Sequence, residues 1–307
     1  MFKFDPKQVI HAQSLKQVYH KWVSPYKEGD DEQKWVVKCI HVNKHGEINN
    51  ILQNMFLQTS SNSPGLLPVM GYDVQKDELG QSKIYMRMPR MKESLRNIID
   101  EYSNSLKTSI PLEKIVQYLY SIANALDELA QKHIFHRNLK PTNVLIDREG
   151  MVYLTDLRLN QDLVDNKEQE DEKQDTLEAP YDHINLKNGN ENNNLLYLAP
   201  ELYRNYLALS EEDIYKADVW SLGMLITEAC LLSRLQFTPP EFPLQDQIDT
   251  AEQNIVEIRN IYGEKLSKII GGILCVNAGQ RNTFKEICEN LEESFADIVS
   301  ILLSLIN

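Results

Sequence analysis

Between His136 and Asp156 the chain gathers the side chains with the widest chemical range: an imidazole at His136, a guanidinium at Arg137, amides at Asn138 and Asn143, an amine at Lys140 and a carboxylate at Asp156. Amide and carboxylate oxygens coordinate hard cations, amines and guanidinium groups hold anions, and imidazole or carboxylate moves protons. A further lysine, Lys38, sits in the apolar run Trp35-Val36-Val37-Lys38-Cys39-Ile40. The four cysteines, Cys39, Cys230, Cys275 and Cys288, lie far apart without a Cys-x-x-Cys spacing. They read as small buried hydrophobes rather than metal ligands or disulfide partners, which points to a reducing compartment.

These residues need elements to hold them. Lys34 to Val42 is rich in β-branched and aromatic residues and predicts a strand buried over much of its length; Lys83 to Met88 predicts a second, closed by Pro89. Between them, Ile48, Ile51, Leu52, Met55 and Phe56 recur at helical spacing over Glu47 to Gln58. The first ninety or so residues are thus expected to be strand-rich with one helix. Past Ser94 the pattern turns helical, most clearly over Pro111 to Lys132, and Asn143 to Asp147 with Met151 to Thr155 predict a hairpin about Arg148-Glu149-Gly150. Helical periodicity returns from Ile214, in Glu252 to Ile261, Leu266 to Leu274 and Phe284 to Leu291, and in a final helix from Asn290 to Ile306. That last helix is expected to pack on its own lobe, with a dimer or partner groove as the alternative. Asp162 to Glu178 is dense in acid and Lys187 to Asn194 in asparagine, too polar to offset the entropy of ordering. They are expected to form a mobile surface insertion over about 160–195, with a docking surface for a basic partner as the alternative.

The run His136-Arg137-Asn138-Leu139-Lys140-Pro141-Thr142-Asn143 resembles the catalytic loop of eukaryotic protein kinases, with only the aspartate of His-Arg-Asp changed. Further matches follow in the family's order: Asp156-Leu157-Arg158 for Asp-Phe-Gly, Ala199-Pro200-Glu201, Asp218-Val219-Trp220-Ser221-Leu222-Gly223, a late Arg281, and upstream Trp35-Val36-Val37-Lys38. The resemblance covers essentially the whole chain. It implies an α+β, bilobal fold of Ser/Thr-kinase type, with a strand-rich lobe over 1–91, a hinge near Met88 to Lys92 and a helical lobe over 92–307.

By the same resemblance, Lys38, Val36, Met88 and Leu145 surround ATP, Asn143 and Asp156 ligate Mg2+, and Lys140 accompanies the transferring phosphate. His136, Arg137, Leu157, Glu201, Asp218, Trp220 and Arg281 are implied to hold the fold together. In particular, Glu201 and Arg281 resemble the family's buried ion pair. Asn138 stands where the base belongs, and a neutral amide cannot serve as one. Loss of a positioned proton acceptor costs roughly 10²–10⁴ in rate. Four departures accompany it. The phosphate-covering turn, expected between Gln17 and Lys34, carries no glycine across Val18 to Tyr26 and includes Pro25, while Gly29 stands alone. Gln53 falls at the position of the glutamate that should pair with Lys38, with Glu47 as the nearby acid. Leu157-Arg158 removes a glycine hinge, and Val36 replaces a smaller alanine against the adenine. The approach to Ala199, Asn194-Leu195-Leu196-Tyr197-Leu198, also lacks the usual Gly-Thr.

The chain carries 32 Lys+Arg against 45 Asp+Glu, a formal charge of -13. That field repels phosphate backbones and anionic lipid, so nucleic acid and membrane are not expected partners. Its longest apolar stretch near the end, Ile298 to Ile306, is about half the ~20 residues of a spanning helix. No signal peptide is expected in Met1 to Gln17, and the expected location is cytoplasmic. The expected function is that of a pseudokinase, a scaffold or allosteric regulator whose partner is another protein, a kinase or signalling protein. An active, divergent ATP-dependent Ser/Thr kinase and a non-catalytic ATP-binding switch are the alternatives.

Overall fold

The computed structural model describes residues 11–15, 19–25, 34–42, 47–60, 63, 65–76, 82–157, 196–204, 210–238 and 242–306. The acidic and asparagine-rich stretches, Arg158 and Gly29 lie outside them. The chain divides into two units, Met1–Lys92 and Glu93–Asn307.

The first unit is an antiparallel five-stranded sheet in the order β1-β2-β3-β5-β4. Its strands are β1 (His11–Leu15), β2 (Tyr19–Pro25), β3 (Trp35–Val42), β4 (Gly71–Lys76) and β5 (Ser82–Pro89), with helix α1 (Glu47–Ser60) between β3 and β4. β3 is central, and Val36, Val37, Lys38, Cys39 and Ile40 are buried in succession. Because successive side chains alternate between faces, both faces of β3 are covered. The segment Val18 to Tyr26, expected as a turn over phosphates, is mostly strand: Tyr19–Pro25 pairs with β1 on one side and β3 on the other. The β1–β2 connection is Lys16-Gln17-Val18, also without glycine. Pro25 tolerates its place because it ends the strand, opposite Val36, where a missing N–H costs little.

The second unit begins with β6 (Glu93–Ser94), which pairs with β7 (Val144–Ile146); β7 pairs in turn with β8 (Val152–Leu154). The hairpin turns at Gly150, whose φ of +89° suits a residue without Cβ. Helix α2 (Leu95–Asp100) is started by a capping box between Ser94 and Asn97 and runs into a π-helical turn over Glu101–Leu106. Helix α3 (Leu112–Ala130) buries Ile115, Leu119, Ile122, Leu126 and Leu129 on one face. After the short α4 (Pro200–Arg204) comes α5 (Glu211–Leu231), whose residues from Ala217 to Leu231 are all buried except Ser221. A helix covered on every side is a core element, and α3 and α7 pack on it.

Helices α6 (Leu244–Tyr262), α7 (Glu264–Ile273), α8 (Phe284–Ser294) and α9 (Ala296–Ile306) complete the unit. α6 starts eight residues before the periodicity at Glu252 implies, since its first residues, Leu244 to Asp246, are exposed and its buried Gln247 is polar. The expected single helix from Asn290 to Ile306 is broken at Phe295, whose φ of −135° leaves the helical region while its N–H caps Leu291. α9 buries Val299 and Leu302 and leaves Ile301 exposed. Among the described residues no helix is long and apolar enough to cross a membrane.

Candidate functional site

In the first unit, β3 and β5 place Val36 opposite Met88 and Lys38 opposite Met86, all on one face of the sheet. Val36, Lys38 and Met88 are buried, so the Lys38 stem does not simply reach out to solvent. Gln53 does not behave as an inward-facing residue of α1. It is exposed and, with Asn49, Leu52, Met55 and Phe56, lines an open cavity of about 450 Å³ bounded on the other side by Val69, Met70, Gly71 and Tyr72. Met55 is the buried residue of that turn; a count along the sequence back from Pro64 across the loop does not fix helical phase. The Cys39 thiol is pushed up to about 12 by burial, which leaves it unreactive.

In the second unit, the loop after α3 is hung from helix α5. The Asp218 carboxylate, 3% exposed, accepts the backbone N–H of His136 at 2.6 Å and of Arg137 at 2.8 Å. Burial pushes Asp218 up to about 6 against the opposing pull of those N–H groups and of the Arg137 charge. Arg137 itself sits at φ +58° and Asp156 at φ +66°, left-handed conformations that cost energy for any residue with a Cβ.

Four hydrogen bonds knit the site. The Asn138 N–H donates to His136 Nδ1 at 3.3 Å, and Asn138 Nδ2 donates to the Asp156 carbonyl at 2.9 Å. Asn143 Nδ2 donates to the Asn138 carbonyl at 2.7 Å, and the Thr155 N–H donates to the Asn143 carbonyl at 3.0 Å. Asn138, Asn143 and Asp156 are thereby brought together. Lys140 is extended and half-buried before the turn Pro141–Asn143 that leads into β7, where Leu145 lies between Ser94 and Tyr153. Because the Asn143 NH2 group is engaged, its Oδ1 is the atom left for a cation. An amide oxygen and the Asp156 carboxylate are the hard donors that Mg2+ takes, so this pair fits such an ion.

A second cluster is structural. Arg281, its side chain fully buried, grips Glu201 with two bonds of 2.6 and 2.8 Å and gives its other N–H groups to the carbonyls of Cys275, Lys216 and Val276. Its guanidinium lies 5.0 Å from the Trp220 ring centroid. The expected ion pair is thus present, and the burial of every donor makes it an anchor rather than a reactive group.

One set escapes a reading of the sequence. Tyr197 donates to Glu228 at 2.5 Å, Arg96 donates to the same carboxylate at 2.6 Å, and Ser221 holds the Tyr197 carbonyl at 2.7 Å. Burial and the Glu228 charge push the Tyr197 hydroxyl far up, keeping it protonated. The available signal was Glu228 itself, the one charge between Asp218 and Arg234 in an otherwise apolar helix. A carboxylate there needs a cation.

With this geometry in view, the chain matches the protein kinase domain over residues 21–291. It belongs to the protein kinase domain family. It is similar to the serine/threonine-protein kinase nekl-2 of Caenorhabditis elegans, 27% identical over 221 residues, covering 69% of this chain and 54% of that one. It also resembles the Aurora kinase of Saccharomyces cerevisiae, 31% identical over 174 residues, 56% of this chain and 38% of that one. Cyclin-dependent kinase-like 5 of Mus musculus is 25% identical over 170 residues, 55% of this chain and 15% of the relative. The match therefore spans less than two thirds of the length of each of these kinases. The motif residues His136 to Asn143 and Asp156 fall inside the matched span.

Proposed function

We propose that this kinase-family chain is a pseudokinase, a scaffold or allosteric regulator of another protein, a kinase or signalling protein, with impaired phosphate transfer. The observation that carries the reading is Asn138: the position of the proton acceptor holds a neutral amide, and its NH2 group is already engaged with the Asp156 carbonyl. Phosphoryl transfer depends on positioning and charge stabilisation, to which a carboxylate adds orientation of the attacking hydroxyl. With its NH2 group so engaged, Asn138 keeps an oxygen that can accept a hydrogen bond from the hydroxyl but carries no charge and cannot take its proton.

A second reading, an ATP-binding switch without turnover, is favoured by the buried Lys38 and by the oxygen donors of Asn143 and Asp156. When bound, Mg2+ would supply charge neutralisation at the phosphates. Thermal unfolding with ATP, with and without Mg2+, separates the two. A ligand that binds only the folded chain stabilises it by RT ln(1 + [L]/Kd). A rise of several degrees at millimolar nucleotide, without phosphate incorporation into the chain or a generic protein substrate, selects the switch. No shift selects the scaffold. Rapid, metal-dependent phosphate transfer by the unaltered protein overturns both and establishes a divergent active Ser/Thr kinase.

A further inference from the structure

Large apolar side chains exposed singly carry no message, whereas a gathered set marks a surface made for contact. In the second unit Phe237, Phe242, Leu244 and Val256 are each between 39% and 50% exposed. Phe237 and Phe242 lie in the segment that enters α6, Leu244 begins the helix, and Val256 lies on its solvent side.

This exposure is built into the fold. The inward face of α6 buries Ala251 and Ile258 but also the amides of Gln247 and Asn254. Asn254 holds both backbone groups of Gln236: its Oδ1 accepts the N–H and its Nδ2 donates to the carbonyl, each at 3.0 Å. Gln247 Nε2 donates to the Phe242 carbonyl at 2.7 Å, and the Thr238 and Thr250 hydroxyls are hydrogen-bonded to each other. Amides rarely occupy buried helix positions unless each is satisfied, and here they are used to fix the preceding segment. The backbone is thereby pinned on both sides of Phe237 and at Phe242 itself, while the rings stay half-exposed. A surface already held in one arrangement loses little entropy on binding.

The charge around these side chains has one sign. Residues 235–258 contain the carboxylates of Glu241, Asp246, Asp249, Glu252 and Glu257 and no lysine or arginine. Asp246, in the first turn, complements the helix dipole; Asp249, Glu252 and Glu257 lie beyond that turn, where the dipole has faded. Asp249, Glu252 and Val256, spaced by three and four residues, share one exposed side of the helix. Arg259, the next base, is paired with Glu264 at 2.7 Å. Apolar side chains rimmed by carboxylates are complementary to apolar side chains flanked by cations, and they oppose a second copy of the same acidic face.

We propose that the segment entering α6 and the exposed side of that helix form a docking surface for a basic, amphipathic segment of another protein. Apolar side chains of that segment cover Phe237, Phe242 and Leu244, and its lysines or arginines meet Asp246, Asp249 and Glu252. The surface deepens the scaffold reading, on which it rests for its role, by giving the chemistry of the partner. It uses no residue of the loop between His136 and Asp156.

The test measures binding of a fluorescein-labelled amphipathic peptide of lysine and leucine to the whole chain by fluorescence anisotropy, with amide hydrogen exchange locating the contact. Binding should protect 236–256 from exchange. Phe242→Ser with Leu244→Ser, and separately Asp246→Lys with Asp249→Lys, should each weaken it by roughly tenfold or more. Glu289→Lys with Glu293→Lys makes the same charge change at exposed positions of α8 and should weaken it by less than about threefold. Absence of binding overturns the proposal, as does protection confined to other segments. Equal losses from the α6 and α8 charge variants, or equal binding of a peptide with serine in place of leucine, reduce the contact to general attraction and also overturn it. So does a chain that sediments as a dimer and is dispersed by Phe242→Ser with Leu244→Ser, since the occupant is then a second copy. If the serine pair lowers the unfolding midpoint, the charge pairs alone decide. Phosphate transfer by the unaltered chain would remove the scaffold reading and leave the peptide result standing, so the two fail separately.

Discussion

The Asp218 carboxylate illustrates how one residue on a core helix holds a loop that carries chemistry, and its pH response exposes that role. In the unfolded chain it releases its proton near the ordinary value of 3.8; in the folded chain burial delays release to about 6. Between these values the folded state binds a proton that the unfolded state has lost, so stability from this group is complete below about pH 4 and is lost as the pH rises through 6. The free-energy difference between the unaltered chain and Asp218→Asn should therefore shrink as pH is raised from 4 to 7 in urea unfolding. A difference that stays level or widens would mean that Asp218 is ionised throughout the window. The Arg281–Glu201 pair makes the complementary point: with two partners on one carboxylate and three backbone carbonyls, the guanidinium is satisfied at every donor. A lysine could not replace it.

At the scale of elements, the packing of α5 against the end of α7 is set by an absent side chain. A Cβ at Gly223 would come within 2.7 Å of both Ile273 Cγ2 and Leu274 Cδ2, and all three residues are buried. Alanine would gain about 1 kcal/mol in helix propensity but force the two helices apart, an overpacking cost of roughly 1–3 kcal/mol. Gly223→Ala is therefore expected to lower the urea midpoint. Gly271→Ala on α7, whose Cβ would meet only Ile255 Cδ1 at an ordinary 3.6 Å, is expected to leave the midpoint level or raise it. Equal behaviour of the two variants would show that contact at Gly223 does not set the helix spacing. Helix starts are specified locally as well: α2, α5 and α8 each begin with a capping box, from Ser94, Ser210 and Thr283.

Over the whole molecule, charge is divided unevenly. Residues 1–92 carry thirteen Lys/Arg against nine Asp/Glu, whereas residues 93–307 carry nineteen against thirty-six, which together give the formal -13. The excess of the second unit amounts to like-charge repulsion that folding concentrates and salt screens, with a Debye length near 10 Å at 0.1 M. The thermal midpoint is expected to climb by a few degrees between 20 and 200 mM NaCl. A fall over that range would show that attractive pairs such as Arg96–Glu228, rather than net repulsion, dominate the salt response.

The sequence by itself determined the family and the kind of fold, because the motif residues lie in contiguous loops where residue type follows from local chemistry, and because β3, β5, α1 and α3 carry strong apolar periodicity. It also showed that position 138 lacks a carboxylate. Strands β1, β2 and β4 were not legible: Gly71–Lys76 contains glycine, aspartate and glutamine, and its pairing is decided by β5 beside it. The phase of α1, which leaves Gln53 exposed, was decided by packing rather than by position along the sequence. Tertiary structure alone joined Arg96 to Glu228, 132 residues away, and directed the Asn138 amide onto the Asp156 carbonyl. A side chain's chemical repertoire is written in its identity; which partner completes a hydrogen bond depends on where the folded backbone brings a donor and an acceptor within about 3 Å.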